Sequence, residues 1–192
     1  MKTPKTSFLF LLTCLTLITV ACKKDTPKDD DKIIQVLPEL THEGKHTFGC
    51  KVNGEVWVAR SGGGINGQRK LYAHYDAEDG EFYFVAHKQI YDENILESIN
   101  LIQLKDVYGT GLYSFSISAF DGTPILCFFD AHENRTCRGY YHDSLHKSEL
   151  NITFYDTINR IISGTFELDI TNFDCEDSIM HITDGRFDVR YN

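Results

Sequence analysis

From Phe48 onward, apolar residues fall on alternate positions in short runs, and turn residues interrupt them about every 8 to 12 positions. Phe48, Cys50 and Val52 alternate with polar neighbours before Asn53-Gly54, and Val56, Trp57 and Val58 then resume. An Asn-Gly pair between apolar runs predicts a tight β-hairpin, because both residues tolerate the left-handed backbone such a turn needs. The next two runs can be registered. A loop over Ala77 to Gly80 sets Leu71, Ala73 and Tyr75 opposite Ala86, Phe84 and Phe82, with Tyr72 opposite Val85 and His74 opposite Tyr83 on the other face. A slip of one residue would turn the apolar face to water, so this register is strongly specified.

The pattern continues to the C-terminus. Ile95 to Val107 fits a strand or a helix stripe, since Ile99, Ile102 and Leu104 suit either period. Gly109 and Gly111 break the chain before Tyr113, Phe115 and Ile117. Ile125 to Phe129 is a continuous apolar run, as in a strand buried on both faces. Leu150, Ile152 and Phe154 are expected opposite Phe166, Gly164 and Ile162 through Thr157-Ile158-Asn159, with Asn159 in the left-handed position. Ile179 to Thr183, a turn at Asp184-Gly185, and alternating Phe187, Val189 and Tyr191 close the chain. This predicts one all-β domain of about nine or ten antiparallel strands, a β-sandwich or a β-barrel, with mostly meander connections.

The N-terminus follows a different pattern. Lys2 and Lys5 precede an apolar stretch from Phe8 to Val20, and Ala21 stands immediately before Cys22. This order is that of a secretory signal, and the roughly 13 apolar residues fall short of the about 20 a spanning helix needs. A cysteine directly after the small residue points to lipoprotein processing, with Cys22 carrying the lipid. Residues 1–21 are therefore expected to be a signal peptide, 22–46 a flexible tether and 47–192 the β-domain. The tether opens with Lys23-Lys24-Asp25 and Asp29-Asp30-Asp31, with no apolar residue until Ile33; such a stretch cannot bury enough surface to offset chain entropy.

Removing 21 residues from 192 leaves 171, a comfortable single domain with its tether. The leader holds two lysines, so 17 of 19 basic side chains remain against 28 acidic ones, a formal charge of −11. That balance disfavours nucleic acid, which attracts basic patches, and leaves membrane attachment to the acyl chains. The 13 Phe and 10 Tyr, with only two Met, suit strands.

Two blocks carry a family resemblance. Thr41-His42-Glu43-Gly44-Lys45-His46-Thr47-Phe48-Gly49-Cys50-Lys51-Val52-Asn53-Gly54-Glu55-Val56-Trp57-Val58 resembles the opening of a widespread family of Bacteroidota lipoproteins. Ile162-Ser163-Gly164-Thr165-Phe166-Glu167 and Ile182-Thr183-Asp184-Gly185-Arg186-Phe187-Asp188-Val189-Arg190-Tyr191 are similar to its end. The resemblance implies a small all-β lipoprotein domain and brings no activity, substrate or catalytic residue. The mixed charges after Cys22 also resemble a surface-export signal of such lipoproteins. The expected location is the outer membrane, facing the periplasm or the cell surface.

Cys50, Cys127, Cys137 and Cys175 remain after the leader and Cys22. An even number in an exported domain suggests two disulfides with three possible connectivities. Cys127 and Cys137 flank a short polar loop and could face one another across a hairpin, which would leave Cys50 to join Cys175. No paired close spacing suggests zinc. His42 and His46, and His142 and His146, are four apart but sit in loop-like sequence, where that spacing does not converge on a metal; no metal or other cofactor is expected. Neither a phosphate-cradling glycine loop nor a Gly-x-Ser-x-Gly elbow occurs. Asp143-Ser144-Leu145, Asp156-Thr157-Ile158 and Asp177-Ser178-Ile179 look like Bacteroidota O-glycosylation acceptors, which makes Ser144, Thr157 and Ser178 candidate sites.

No catalytic constellation stands out, so the expected role is a non-enzymatic binding or structural module at the envelope, taking a glycan or a protein partner. The outward row Tyr72, His74, Tyr83 and His87 is the candidate surface for stacking on a sugar. Two alternatives are a lipocalin-like carrier of a small apolar ligand and a hydrolase with dispersed carboxylates. The lipid expectation has a direct check. Replacing Cys22 by serine is expected to move the protein from the membrane to the soluble fraction, and undiminished membrane partitioning would contradict it.

Overall fold

The alternating runs become eleven antiparallel strands in one curled sheet that forms a half-barrel. The computed structural model describes residues 35–61, 70–90, 95–114, 126–131, 137–142, 145–172, 175 and 178–192; Cys22 and Ser144 lie outside them. The strands are β1 (Thr47–Val52), β2 (Glu55–Val58), β3 (Leu71–Asp76), β4 (Glu81–Ile90), β5 (Ile95–Leu104), β6 (Gly111–Tyr113), β7 (Leu126–Asp130), β8 (Gly139–Tyr141), β9 (Ser148–Asp156), β10 (Ile161–Thr171) and β11 (Ile179–Arg190). Their order is β2-β1-β11-β10-β8-β7-β5-β4-β3, with β9 beside the first part of β10 and β6 beside β9. Most neighbours are consecutive in sequence, a meander closed by pairing of the first strand with the last.

Two seams join the ends of the curl. Arg60, just after β2, lies along β4, its amide donating to the His87 carbonyl at 2.8 Å and its carbonyl accepting from the Gln89 amide at 2.9 Å. The C-terminal Asn192 amide donates to the Ala73 carbonyl on β3 at 3.3 Å. Three tyrosines fill that second seam. The Tyr75 hydroxyl donates to the Val107 carbonyl at 2.7 Å and accepts from the Tyr155 hydroxyl at 2.8 Å, and the Tyr191 ring packs edge-on against Tyr75.

The core is a knot of phenylalanines from opposite parts of the sheet. Phe48 of β1 stands 5.0 Å from both Phe84 of β4 and Phe166 of β10, and Phe187 of β11 stands 5.7 Å from Phe84. All four are buried, and such ring pairs add about 0.5 to 1.5 kcal/mol each beyond their area burial.

The β3–β4 register is the expected one at every pair. Asn53 and Gly54 adopt φ of 50° and 86°, the double left-handed turn their chemistry predicts. Ile95–Leu104 is a strand, which resolves the ambiguous segment. Three expectations need correcting. Leu150 and Ile152 face Phe166 and Gly164 as expected, but Thr153 is an extra residue, so Phe154 faces Ser163 and Tyr155 faces Ile162. Gly164 permits this bulge because a Cβ there would overlap the Asn151 carbonyl. The loop thereby lengthens to four residues, and Arg160 (φ 56°) takes the left-handed position while Asn159 bonds to Asp156. Asp184-Gly185 is not a turn: β11 runs through it with one extra residue, a bulge centred on Asp184 at φ 53°. Finally, Cys127 and Phe128 on β7 are both buried but Phe129 is 36% exposed, so the run is buried on both faces only in part.

The cysteine pairing also differs. The disulfide joins Cys137 to Cys175, while Cys50 and Cys127 are buried thiols. Phe129 faces Gly139 across β7–β8, which places Cys137 beyond Asp130 and away from Cys127. Pairing of β8 with the end of β10 brings the chain before β8 beside the chain after β10, where Cys175 lies. Cys50 faces the core beside Phe48 and Trp57. Burial pushes the Cys127 thiol up to about 12 and raises Cys50 further, against a smaller downward pull from Lys88, so neither is a ready nucleophile.

The compact unit begins at Gln35, earlier than the expected boundary at residue 47. Asp188 of β11 holds this leading segment. Its carboxylate accepts from the Thr41 hydroxyl (2.5 Å), the amides of Glu43 (3.1 Å), Gly44 (2.8 Å) and Lys45 (3.0 Å), and the Ser163 hydroxyl of β10 (2.7 Å). Burial alone would raise the Asp188 pKa, but the hydrogen bonds outweigh it and hold the carboxyl below its ordinary value. A depressed folded pKa gives stability that is present above the unfolded value, about 3.9, and lost as pH falls through the folded one.

Asp188→Asn is therefore expected to lower unfolding stability by roughly 2 to 4 kcal/mol near neutral pH. It should also remove part of the loss that the unmodified protein shows between about pH 5 and 2; urea denaturation across pH checks both. For the cysteines, thiol titration of the processed, lipidated chain should find two reactive groups only after denaturation, and four would refute the Cys137–Cys175 bond. Serine at both positions should cost about 2 to 4 kcal/mol, since the bond closes a separation of 38 residues.

Candidate functional site

Three neighbouring strands change character at the same level of the half-barrel. Along β4 the inward positions read Phe82, Phe84, Ala86 and then Lys88; along β5 they read Leu101, Ile99 and then Glu97; along β7 Phe128 is followed by Asp130. Register aligns these endings. Ala86 faces Ile99 and Ile99 faces Phe128, while Lys88 faces Glu97 and Glu97 faces Asp130. The apolar rows thus give way to a charged row that projects from the inner face.

Trp57 reaches this row from the β1–β2 hairpin. Its indole Nε1–H donates to Glu97 Oε2 at 2.7 Å, and the Lys88 Nζ lies 3.6 Å from the same oxygen. The Arg60–Lys88 bridge fixes that approach, because it lays the chain after β2 directly along β4. Lys88 and Glu97 are largely desolvated, with side chains 13% and 15% exposed, and Asp130 is buried. Replacing a buried ion pair by apolar side chains is often neutral or stabilising. A charged row between core residues is therefore poorly explained by stability alone.

The row borders a cavity of about 330 Å³ whose walls include Trp57, Phe128 and Tyr140. Phe128 and Tyr140 meet edge-on at 6.1 Å. Cys137 and Met180 also line it, so the disulfide braces one wall. Its size falls at the small end of the range for ligand sites, about 300 to 1,000 Å³. The arrangement offers aromatic surface for a ring, carboxylates that accept hydrogen bonds and an ammonium that donates them.

The outward row expected from the sequence is brought together in part. Tyr72 and Tyr83 touch edge-on at 5.7 Å, with Tyr72 39% exposed, and His74 is the cross-strand partner of Tyr83. Burial, and then the neighbouring Tyr72, raises the Tyr83 pKa. His87 lies farther along the same face of β4, its pKa lowered by burial, and its backbone forms the Arg60 seam. This is a convex surface patch, whereas the charged row lies in a concavity.

The other candidate residues are scattered. His42 stacks on Phe154 at 5.0 Å, and His46 accepts a hydrogen bond from the Arg190 amide at 3.3 Å. Thr157 is exposed at the tip of the β9–β10 loop, as a glycan acceptor requires. Ser178 is half-buried, and its hydroxyl donates to the Cys175 carbonyl at 3.0 Å. Among the described residues, no group of three or more His, Cys, Asp or Glu side chains is arranged to hold a metal ion.

Comparison with protein-family models, with curated proteins and with solved structures found no match for this chain.

Proposed function

We propose that this chain is a non-enzymatic binding module, lipid-anchored at Cys22 to the outer membrane of the cell envelope, which holds the end of a glycan in the Trp57–Lys88–Glu97–Asp130 cavity. The observation that carries the reading is a charged row, bonded to an indole, where three core-facing strands would otherwise continue apolar. A sugar ring has apolar faces that stack on aromatic side chains and hydroxyls that both donate and accept. Glu97 and Asp130 supply acceptors, Lys88 a donor, and Phe128 and Tyr140 the apolar surface. The charged lining argues against the carrier of an apolar ligand, since such a ligand would leave these groups desolvated without new partners.

The leader and the Cys22 context support the address, and the resemblance to Bacteroidota lipoproteins supports the same reading. The Tyr72–Tyr83 face is the second place where a longer chain could rest. A competing reading is glycoside hydrolysis by Glu97 and Asp130, which the register brings side by side.

Calorimetric titration with an oligosaccharide panel separates these readings. Glu97→Gln should weaken binding about tenfold or more, because a hydrogen bond to a charged group is worth about 1.5 to 3 kcal/mol, and Tyr140→Ala should weaken it by removing apolar surface. Tyr72→Ala with Tyr83→Ala should leave the primary affinity within about threefold. Loss of binding only in the tyrosine-face variants would move the site outward, and release of reducing ends on incubation would favour hydrolysis.

A further inference from the structure

The outer face of β3 and β4 carries a set of bases of its own. Lys70 and His87 form the pair one step beyond Leu71 and Ala86, the His87 amide donating to the Lys70 carbonyl at 2.9 Å. The His87 carbonyl accepts from the Arg60 amide at 2.8 Å, so the three residues sit side by side at one edge of β4. Leu71, Ala86 and Ala59 beside them are buried. Alternation therefore puts Lys70, His87 and Arg60 on the outer face, in line with Tyr72 and Tyr83.

Among the described residues, none of these three side chains has an ion pair or a hydrogen-bond partner. Burial lowers the Lys70 and His87 pKa values, and among the described residues no carboxylate pulls either back up. The charged group that Lys70 does act on is His46, another base, whose pKa falls through burial and then through Lys70. Across the same face Ser98 and Asn100 of β5 are uncharged, and the acidic pair Asp76–Glu81 lies six residues along β3, about 20 Å away. In sequence, residues 60–70 contain Arg60, Arg69 and Lys70 and no acidic residue, in a chain of formal charge −9. A half-buried cation without a counter-ion has lost water and gained nothing in exchange. A guanidinium and an ammonium hold carboxylate or sulfate oxygens through charge-assisted hydrogen bonds, and a neutral imidazole adds an N–H. Tyr72, exposed and next along β3, supplies aromatic surface for a ring. We infer that this outer face binds an acidic sugar, its carboxylate or sulfate held by Arg60, Lys70 and His87 beside Tyr72. The inference rests on the reading above only in taking the ligand to be a glycan, and it places the anion outside the cavity.

Three β-1,4-linked glucose trimers of one backbone test this, bearing at the sixth carbon of each ring a hydroxyl, a carboxylate or a sulfate ester. Titrated calorimetrically into the full-length mature protein, at least one acidic trimer should bind about tenfold or more tightly than the neutral one. Whichever acidic trimer binds tighter identifies the anion. The preference should shrink as ionic strength rises. Arg60→Gln with Lys70→Gln should abolish it. Lys51→Gln with Lys147→Gln, the same loss of charge at exposed lysines elsewhere, should leave it within about twofold. Equal binding of the three trimers, a preference that survives in the Arg60–Lys70 variant, or one lost equally in the Lys51–Lys147 variant would overturn this inference and leave the glycan reading standing. Failure of all three trimers and of the wider oligosaccharide panel would overturn both. No preference among trimers, with residues 70–72 protected from hydrogen exchange in phosphatidylglycerol but not phosphatidylcholine vesicles, would place a membrane surface there and overturn the inference as well.

Discussion

One buried carboxylate ties the start of the domain to its end. Asp188 gathers five donors, three of them consecutive backbone amides, and thereby fixes Thr41 to Lys45 against β10 and β11. A buried carboxylate without such partners would cost several kcal/mol, so the segment and the aspartate depend on each other. From this point β1 enters the sheet beside β11, and the hairpin it forms with β2 carries Trp57 across to the charged row. The cavity is downstream of that anchor. The two sides of this contact, Thr41 to Lys45 and Asp188, stand 143 to 147 residues apart in the sequence.

Within the half-barrel, chemistry is divided by level. Phenylalanines from β1, β4, β10 and β11 fill the middle and hold the sheet in its curl. A tyrosine cluster seals one seam, where the Tyr75 and Tyr155 hydroxyls each find a partner. At the level of Lys88, Glu97 and Asp130 the interior becomes polar, and there a concavity remains. A strand with a period of two makes this easy to build: extending an inward row by one inward position places a charge directly beside the core without changing register. The Lys88–Glu97 pair lies nearly out of water at small stabilising benefit, which fits a row kept for what it contacts.

Much of the fold was legible in the sequence because alternation and Asn-Gly chemistry are local. The β3–β4 register and the turn at Asn53-Gly54 follow from a few residues each. The errors arose where pairing decides. Nothing local announces the extra residue at Thr153, and Asp184-Gly185 has turn composition although two flanking strands hold it straight with a bulge. Cysteine partners depend on which loops the topology brings together, and Cys137 meets Cys175 only because β8 borders β10. The cavity was missed for a different reason. Its signal was present, since Lys88 continues the inward row of Phe82, Phe84 and Ala86, but a single charge at a strand end reads as solvent-facing until its neighbours are known.

The most direct test follows the indole Nε1–H of Trp57 in nitrogen–proton correlation spectra as a glycan ligand is added. With one tryptophan in the chain, that resonance is unambiguous, and its proton lies on Glu97. The account predicts that it shifts with ligand, together with the backbone amides of Lys88, Glu97 and Asp130. An unmoved indole, with shifts confined to β3 and β4 around Tyr72 and Tyr83, would show that the charged interior is not where this protein binds.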